Sequence, residues 1–333
     1  MKPQLRCLAL MVCWAGLGLT AGSTSLRAEA LAKGKPPVTS LKITVLSTML
    51  AGDPLFKGIG GFAALVEVDG RRILFDTGLR PTTVLHNARE LGIDLSDITD
   101  VVLSHNHTDH VGGLLSLRRT YREKNPEALS RVHVARGIFW SRGKNRDGEE
   151  ENSALVLKAD FEKSGGRFIE YRAPTELAPG VWLAAPITRT FPEANYGGAG
   201  EVETPSGWVK DTVPEDAALV FDTVDGLVVL TGCGHAGIVN TLAFAREAIR
   251  PAVIEAALGG FHLFLNDEAT LAWTAEKFRE YGVRTVLAGH CTGIEASYRL
   301  RDLVGLRRQT AVVAAVGSNY ELGKGLTPLL LAK

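Results

Sequence analysis

The stretch that most limits what this chain can become is Ser104–Gly113, "SHNHTDHVGG", directly after the apolar run "DVVL". It packs three of the chain's eight histidines, with an aspartate, into six positions. An apolar core has no use for such a cluster, whereas imidazole nitrogen is a good ligand for zinc, iron, nickel or copper. His105 and His107 are two apart, so a locally extended turn can aim both rings at one ion. Asp109 and His110 follow and can serve an adjacent ion. Gly112 and Gly113 would let the next helix pack close against the turn.

Three more histidines stand in comparable places. "VVLTGCGHAG" carries His235, "AALGGFHL" carries His262 and "TVLAGHCTG" carries His290. Six of the eight histidines thus follow apolar strand-like runs. In layered α/β folds such loops collect along one edge of the sheets, where sites are built. The other two, His86 and His133, stand alone and are left unassigned.

The pattern around them is that of an α/β chain. Asp69-Gly70 and Asp225-Gly226 each separate two β-rich runs, the mark of a tight hairpin. "LKITVLS" reads as a first strand from Leu41, after a linker over 31–40. "TTVLHNARELGI" reads as a helix stopped at Gly92. "VGGLLSLRRTYR", "IVNTLAFAREAI" and "LAWTAEKFREYGV" read as further helices, alternating with strands. The stretch from about 132 to 216 is less regular, with a charged run "RGKNRDGEEEN" and a loop-like run "EANYGGAGEVETPSG". It reads as exposed loops or an inserted flap. Trp140, Arg142, Phe191, Tyr196, Trp208 and Lys210 in this region are candidate substrate contacts.

His105-x-His107-x-Asp109-His110, "ILFDTG" with Asp76, His235 and His290 together resemble the motifs of the metallo-β-lactamase-fold superfamily, in that family's order. The resemblance covers Leu41 to the C-terminal end. It implies an αββα sandwich, with the flap inserted, and two metal positions at one edge. His105, His107 and His235 would hold the first ion. Asp109, His110 and His290 would hold the second, and Asp76 would lie behind the ligands and orient them. The implied cofactor is one or two divalent ions, zinc first, with manganese or iron as alternatives.

The chain departs from the wider pattern at "GGFHL". His262 stands where a bridging aspartate is expected, and Asp267 lies beyond the turn. Both a ligand and a substrate-facing catalytic role stay open for His262, with packing as a third reading. "GCGHAGIVNT", "GGFHL" and "GHCTG" together look like a branch of metal-dependent hydrolases labelled dihydropteroate-synthase-like or ribofuranosylaminobenzene 5′-phosphate synthase. Cys233 and Cys291 each adjoin a proposed ligand. Since histidines already fill the family's positions, the two thiols read as small packing residues or, second, as pocket-lining groups.

Remaining features bound the function. Lys2 and Arg6 precede an apolar run from Leu8 to Leu19, and Ala28-Glu29-Ala30 fits a cleavage site. Residues 1–30 therefore read as a signal peptide, with the mature protein periplasmic or extracellular. The run is short for a membrane anchor. Cleavage would leave only Cys233 and Cys291, enough for one disulfide at most. Lys+Arg and Asp+Glu both number 37, a balance that argues against a nucleic-acid partner and for a small-molecule substrate. The expected activity is hydrolysis of an ester, lactone, amide or phosphoester by a metal-activated hydroxide, with Asp109 orienting the water. A pterin-type transferase is the alternative, although its substrates are cytoplasmic. A non-catalytic metal module is the third reading.

Overall fold

The computed structural model describes residues 37–193 and 200–329. The segment expected to be a signal peptide, with its expected cleavage site, and Tyr196 lie outside the described residues. Among the described residues no helix is long and apolar enough to cross a membrane.

In chain order the elements of the first half are β1 (Leu41–Ser47), β2 (Ala63–Val68), β3 (Arg71–Phe75), α1 (Thr83–Glu90), β4 (Asp100–Val102), α2 (Thr108–Val111), α3 (Leu114–Tyr121), β5 (Arg131–Ala135), α4 (Ser153–Lys163) and β6 (Arg167–Tyr171). There follow β7 (Thr175–Ala178), β8 (Val181–Ala184), β9 (Glu201–Thr204), β10 (Gly207–Lys210), β11 (Ala218–Thr223), β12 (Gly226–Thr231), α5 (Ile238–Ala248), β13 (Ile254–Gly259), α6 (Glu268–Glu280), β14 (Thr285–Ala288), α7 (Ile294–Val304) and β15 (Ala311–Val313). Two short strands, β16 (Asn319–Glu321) and β17 (Gly325–Thr327), close the series.

Two sheets result. One has the order β17-β16-β1-β2-β3-β4-β5-β6, the other β15-β14-β13-β12-β11-β8-β7. In each, an antiparallel hairpin leads into parallel strands: β3 to β6 in the first, β12 to β15 in the second. The hairpin turn at Asp69-Gly70 has positive φ at both residues, as a tight two-residue turn with the right twist requires.

Side-chain direction explains the layers. Along β12, Val228 and Leu230 join Ile43, Phe75 and Phe221 in a core between the sheets, while Leu227 and Val229 face Leu242, Phe278 and other helix residues outside. Both faces are covered, so the strand is apolar at nearly every position. On the outer face of the first sheet, Leu74 and Val101 pack with Val84, Leu117 and Phe161. Helices thus flank two face-packed sheets, an αββα sandwich.

Two expectations change. Val38, assigned to the linker, is fully buried; its N–H donates to Asp222 O (2.8 Å) and it bridges Thr223. The region 132–216 is more regular than an insert. It supplies β5, α4 and β6 to one layer and β7 and β8 to the other. The strands there are short, and several residues of β6 and β7 are only half-buried, so the apolar periodicity is weak. The flap proper is the separate hairpin β9–β10, where Trp208 is exposed.

Candidate metal centre

Asp76, His105–His110, His235, His262 and His290 all follow the C-terminal ends of parallel strands or of the hairpin strands leading into them: β3, β4, β12, β13 and β14. Packing the two sheets face to face brings those ends to one edge. Three non-glycine residues there, Asp76, His262 and His290, have positive φ, between 49° and 54°. Such conformations cost roughly 1–3 kcal/mol each and persist where surrounding contacts impose them.

Asp76 is fully buried. Its Oδ1 accepts the Ser104 N–H (2.7 Å), and its Oδ2 accepts the Ser104 hydroxyl (2.7 Å) and lies 2.7 Å from His110 Nδ1. Ser104 Oγ, having given its proton to Asp76, accepts from His105 Nδ1 at 2.9 Å. The carboxylate therefore holds a proton on Nδ1 of both rings, so that in the neutral ring the Nε2 lone pair is directed into the site. Gly232 makes room for this arrangement: a Cβ there would sit 2.1 Å from Ser104 Oγ and 2.7 Å from Asp76 Oδ2. Behind the histidine turn, Cβ atoms at Gly112 and Gly113 would come 2.1 Å from Leu79 O and 2.2 Å from Thr77 O. The α2–α3 junction can therefore press onto the loop after β3 only with glycine at both positions.

Two groups of ligand-type atoms result. In the first, the rings of His105, His107 and His235 stand edge-on with centroids 4.5–4.8 Å apart, and one nitrogen of each lies within 4.8 Å of the others. His105 Nε2 is buried without a hydrogen-bond partner. An orphaned imidazole nitrogen aimed at two other imidazoles is costly unless a cation takes its lone pair, so these residues fit a metal ion. In the second group, His290 Nε2 lies 3.1 Å from Asp109 Oδ2 and 3.3 Å from His110 Nε2, with Asp109 Oδ2 3.6 Å from His110 Nε2. His290 is held by the Gly61 N–H at its Nδ1 (3.2 Å) and by Thr48 Oγ1, which accepts its backbone N–H. In the neutral ring Nε2 then carries the proton, and binding an ion there requires that proton to move to Nδ1 and the Gly61 contact to give way.

The electrostatics of the two groups differ. Burial, reinforced by the other histidines, pushes His105 well below its ordinary range. Burial likewise pulls His107 down to about 4. Both are neutral near pH 7. Burial also acts on His110, but Asp109 and Asp76 override it and push His110 up to about 9. Burial opposes ionisation of Asp109 too, yet His110 and His290 hold its carboxyl below the usual carboxylate range.

The thiol of Cys233, assigned from sequence to packing, belongs to the second group. Its Sγ lies 3.1 Å from His110 Nε2 and 3.2 Å from His290 Nε2. Cys233 and Cys291 are both free thiols. His262 does not join Asp109, His110 and His290. Its ligand-type partners are Cys233 and Cys291, its ring lies 4.7 Å from that of His235, and its Nδ1 is buried without a partner. Asp267 caps α6, accepting the Thr270 N–H at 2.9 Å.

The candidate substrate contacts are mostly spent on structure. Arg142 forms a buried ion pair with Asp211 (2.9 Å) and Glu215 (2.7 Å), and Glu215 accepts from Asn106 within the histidine turn. Phe191 rests on Trp273, and Trp140 stacks under Arg136. Trp208 and Lys210 lie on the exposed hairpin. Glu215, Asp216 and Ser104 went unremarked in the sequence. Asp216 is buried, accepts the Ala236 N–H beside His235 (2.7 Å), and burial raises it to about 7. Only its "PED" context before a strand hinted at it. A cavity of about 370 Å³ opens beside the centre, lined by Leu79, Asn106, His107, Thr108, Asp109, Glu151 and Ser153.

A family model described as the metallo-beta-lactamase superfamily matches residues 57–290. The chain belongs to that superfamily. Its fold implies divalent metal binding, and the two groups above are candidate ligands. The chain is 30% identical over 268 residues, 78% of its length and 90% of the relative, to a 7,8-dihydropterin-6-methyl-4-(beta-D-ribofuranosyl)-aminobenzene-5'-phosphate synthase of Methanocaldococcus jannaschii. It is also similar to a crystal structure of a metal-dependent hydrolase of the beta-lactamase superfamily, at 29% identity and TM-score 0.68, covering 84% of this chain and 98% of that one. Zn(2+)-bound PqqB from Methylobacterium extorquens, at 13% identity and TM-score 0.51, covers 84% and 99%; that likeness concerns the fold alone.

Proposed function

We propose that this superfamily member is an exported metal-dependent hydrolase acting on a small ester, lactone, amide or phosphoester, with zinc as the native ion. The observation that carries the reading is the pair of adjacent ligand groups, one with an orphaned buried His105 Nε2, beside a cavity that His107 and Asp109 line. His105, His107 and His235 would hold one ion, and Asp109, His110 and His290 a second. A divalent ion supplies Lewis acidity and an acidified water at neutral pH. The chain's own groups do the rest. Asp109, ionised and partly exposed at the cavity, orients the attacking water and takes its proton. Asp76 and Ser104 keep His105 and His110 in one tautomer throughout. His262, next to His235, hands a proton to the leaving group.

The test is metal analysis of the mature protein with activity panels of esters, lactones, amides and phosphoesters. Zinc bound, with turnover lost on chelation and restored by zinc, is the expected result. A metal-replete protein inactive on every panel would count against hydrolysis.

One observation favours a second reading, a pterin-type synthase: the 30% identity to the archaeal synthase over 90% of its length. Incubation with a dihydropterin and a phosphorylated ribosyl arylamine separates the two by the bond formed or cleaved. Export rests on the N-terminal pattern. A mature N-terminus between Gly22 and Leu31 is expected on sequencing secreted material, and recovery of Met1 would overturn it.

A further inference from the structure

We propose that the Cys233 thiolate is the fourth ligand of the second cation position, making it an Asp–His–His–Cys site closed by protein atoms. The inference rests on the metal-binding reading above. Asp109 Oδ2, His110 Nε2, Cys233 Sγ and His290 Nε2 all lie within 4.8 Å of one another. Five of the six separations among them are 3.1, 3.2 and 3.3 Å for sulfur and nitrogen pairs, and 3.1 and 3.6 Å from the carboxylate oxygen. A tetrahedral zinc shell, with bonds of about 2.0–2.2 Å to nitrogen or oxygen and about 2.3 Å to sulfur, has donor–donor edges of roughly 3.2–3.6 Å. The five separations lie within about 0.5 Å of such edges, the sulfur pairs on the short side, so small shifts bring the four atoms to the corners of a shell.

One sulfur stands in near-equal contact with two imidazole nitrogens and close to a carboxylate oxygen, the arrangement of donors around a shared cation. A facing cation favours the thiolate, the form in which cysteine binds metal. The sulfur also answers a vacancy in charge. His262 stands where a bridging carboxylate is expected and is grouped with Cys233 and Cys291 instead. A thiolate restores the negative charge a neutral imidazole cannot supply.

Two consequences follow. A soft sulfur donor favours zinc, cobalt or cadmium over manganese or magnesium at this position. Four protein ligands also leave it no open place, whereas the His105–His107–His235 position has three. The open coordination place that catalysis needs then belongs to the three-histidine position, and the second ion acts by its charge.

Cobalt(II) titration of the full mature protein tests this by absorption. The wild type should bind two equivalents and develop an intense near-ultraviolet thiolate-to-cobalt band. Cys233→Ser should lose the band, and Cys291→Ser should keep it. Cys233→Asp should bind two equivalents without the band, which guards against a serine variant that fails to fold. Two bound equivalents in the wild type without a band, or a band lost with Cys291 and kept without Cys233, would overturn the sulfur ligand while leaving the metal centre standing. Absence of any cobalt binding would overturn the metal reading itself.

Discussion

The two ends of the sandwich each hold a histidine–aspartate pair, and the pairs are used differently. At the strands' C-terminal ends, His110 Nδ1 meets Asp76 at 2.7 Å and its Nε2 faces His290, Cys233 and Asp109. At the opposite end, His133 Nε2 meets Asp100, also at 2.7 Å, but its Nδ1 is taken by the Tyr171 hydroxyl at 2.9 Å. Asp100 also pairs with Arg131 through both carboxylate oxygens. The cavity beside that second pair is the larger, about 590 Å³, and is lined by Arg71, Arg72, Arg131 and Arg167 among others. Cavity size therefore points to the wrong end for metal chemistry. What separates the two is the second ring nitrogen: satisfied by a protein group at His133, presented to other donors at His110.

Replacing one ring at each end tests the contrast most strongly. His235→Ala should remove the ion at the three-histidine position and lower turnover by about 10³-fold or more, since the acidified water is lost with it. His133→Phe should leave metal content unchanged. Metal analysis beside kinetics checks both, and equal metal loss in the two variants would erase the distinction.

His262→Ala comes next. With metal content retained, turnover should fall by about 10²–10⁴-fold, as expected for loss of a proton donor. Unchanged turnover with unchanged metal would make His262 a packing residue.

The aspartates give a smaller, sharper comparison. Asp76→Asn should weaken metal affinity by about 10–100-fold, the usual cost of losing the partner that orients a ligand. Asp100→Asn should lower melting temperature without changing metal affinity. Competition with a chelator, together with thermal melts, tells them apart.

The smallest effect is in pH. In the metal-free protein His105 and His107 are held below their ordinary 6.5, so the stability they contribute is present above 6.5. It should be lost as pH falls toward 4, the value to which His107 is depressed. His110 is raised, so its contribution is present below 6.5 and should be lost as pH rises through about 9. At the opposite end His133 and Arg131 override burial and hold Asp100 at about 2; its contribution, present above 3.8, should disappear only as pH falls toward 2. Melting curves of chelated protein across pH 2–10 should show these windows separately. A single acid transition below pH 4 would contradict the first.

Much of this was legible in the sequence because it is local. The period of apolar residues, the Asp-Gly turns and the clustered "HNHTDH" are each written within a few residues. The weakly patterned region 132–216 was not legible as structure. β6 is a half-buried strand whose partner, β5, lies beyond an intervening helix, and β7 is a short half-buried strand whose register against β8 is irregular. β16 and β17 are three residues each, too short to show a period, yet β16 forms the neighbour of β1. Arg142 looked available as a charge on a loop. Its ion pairs with Asp211 and Glu215 cross some seventy positions of chain.

By itself the sequence determined a layered α/β chain and the list of histidines at strand ends, which follow from short-range pattern, and the motif order carried the family resemblance that implies the αββα sandwich. Only the tertiary structure decided which second nitrogen faces other ligand-type atoms, that Cys233 rather than His262 stands with His110 and His290, and that Arg142 is structural. Those outcomes depend on distances between atoms 57 to 180 residues apart along the chain, which close packing of the two sheets sets and local spacing cannot encode.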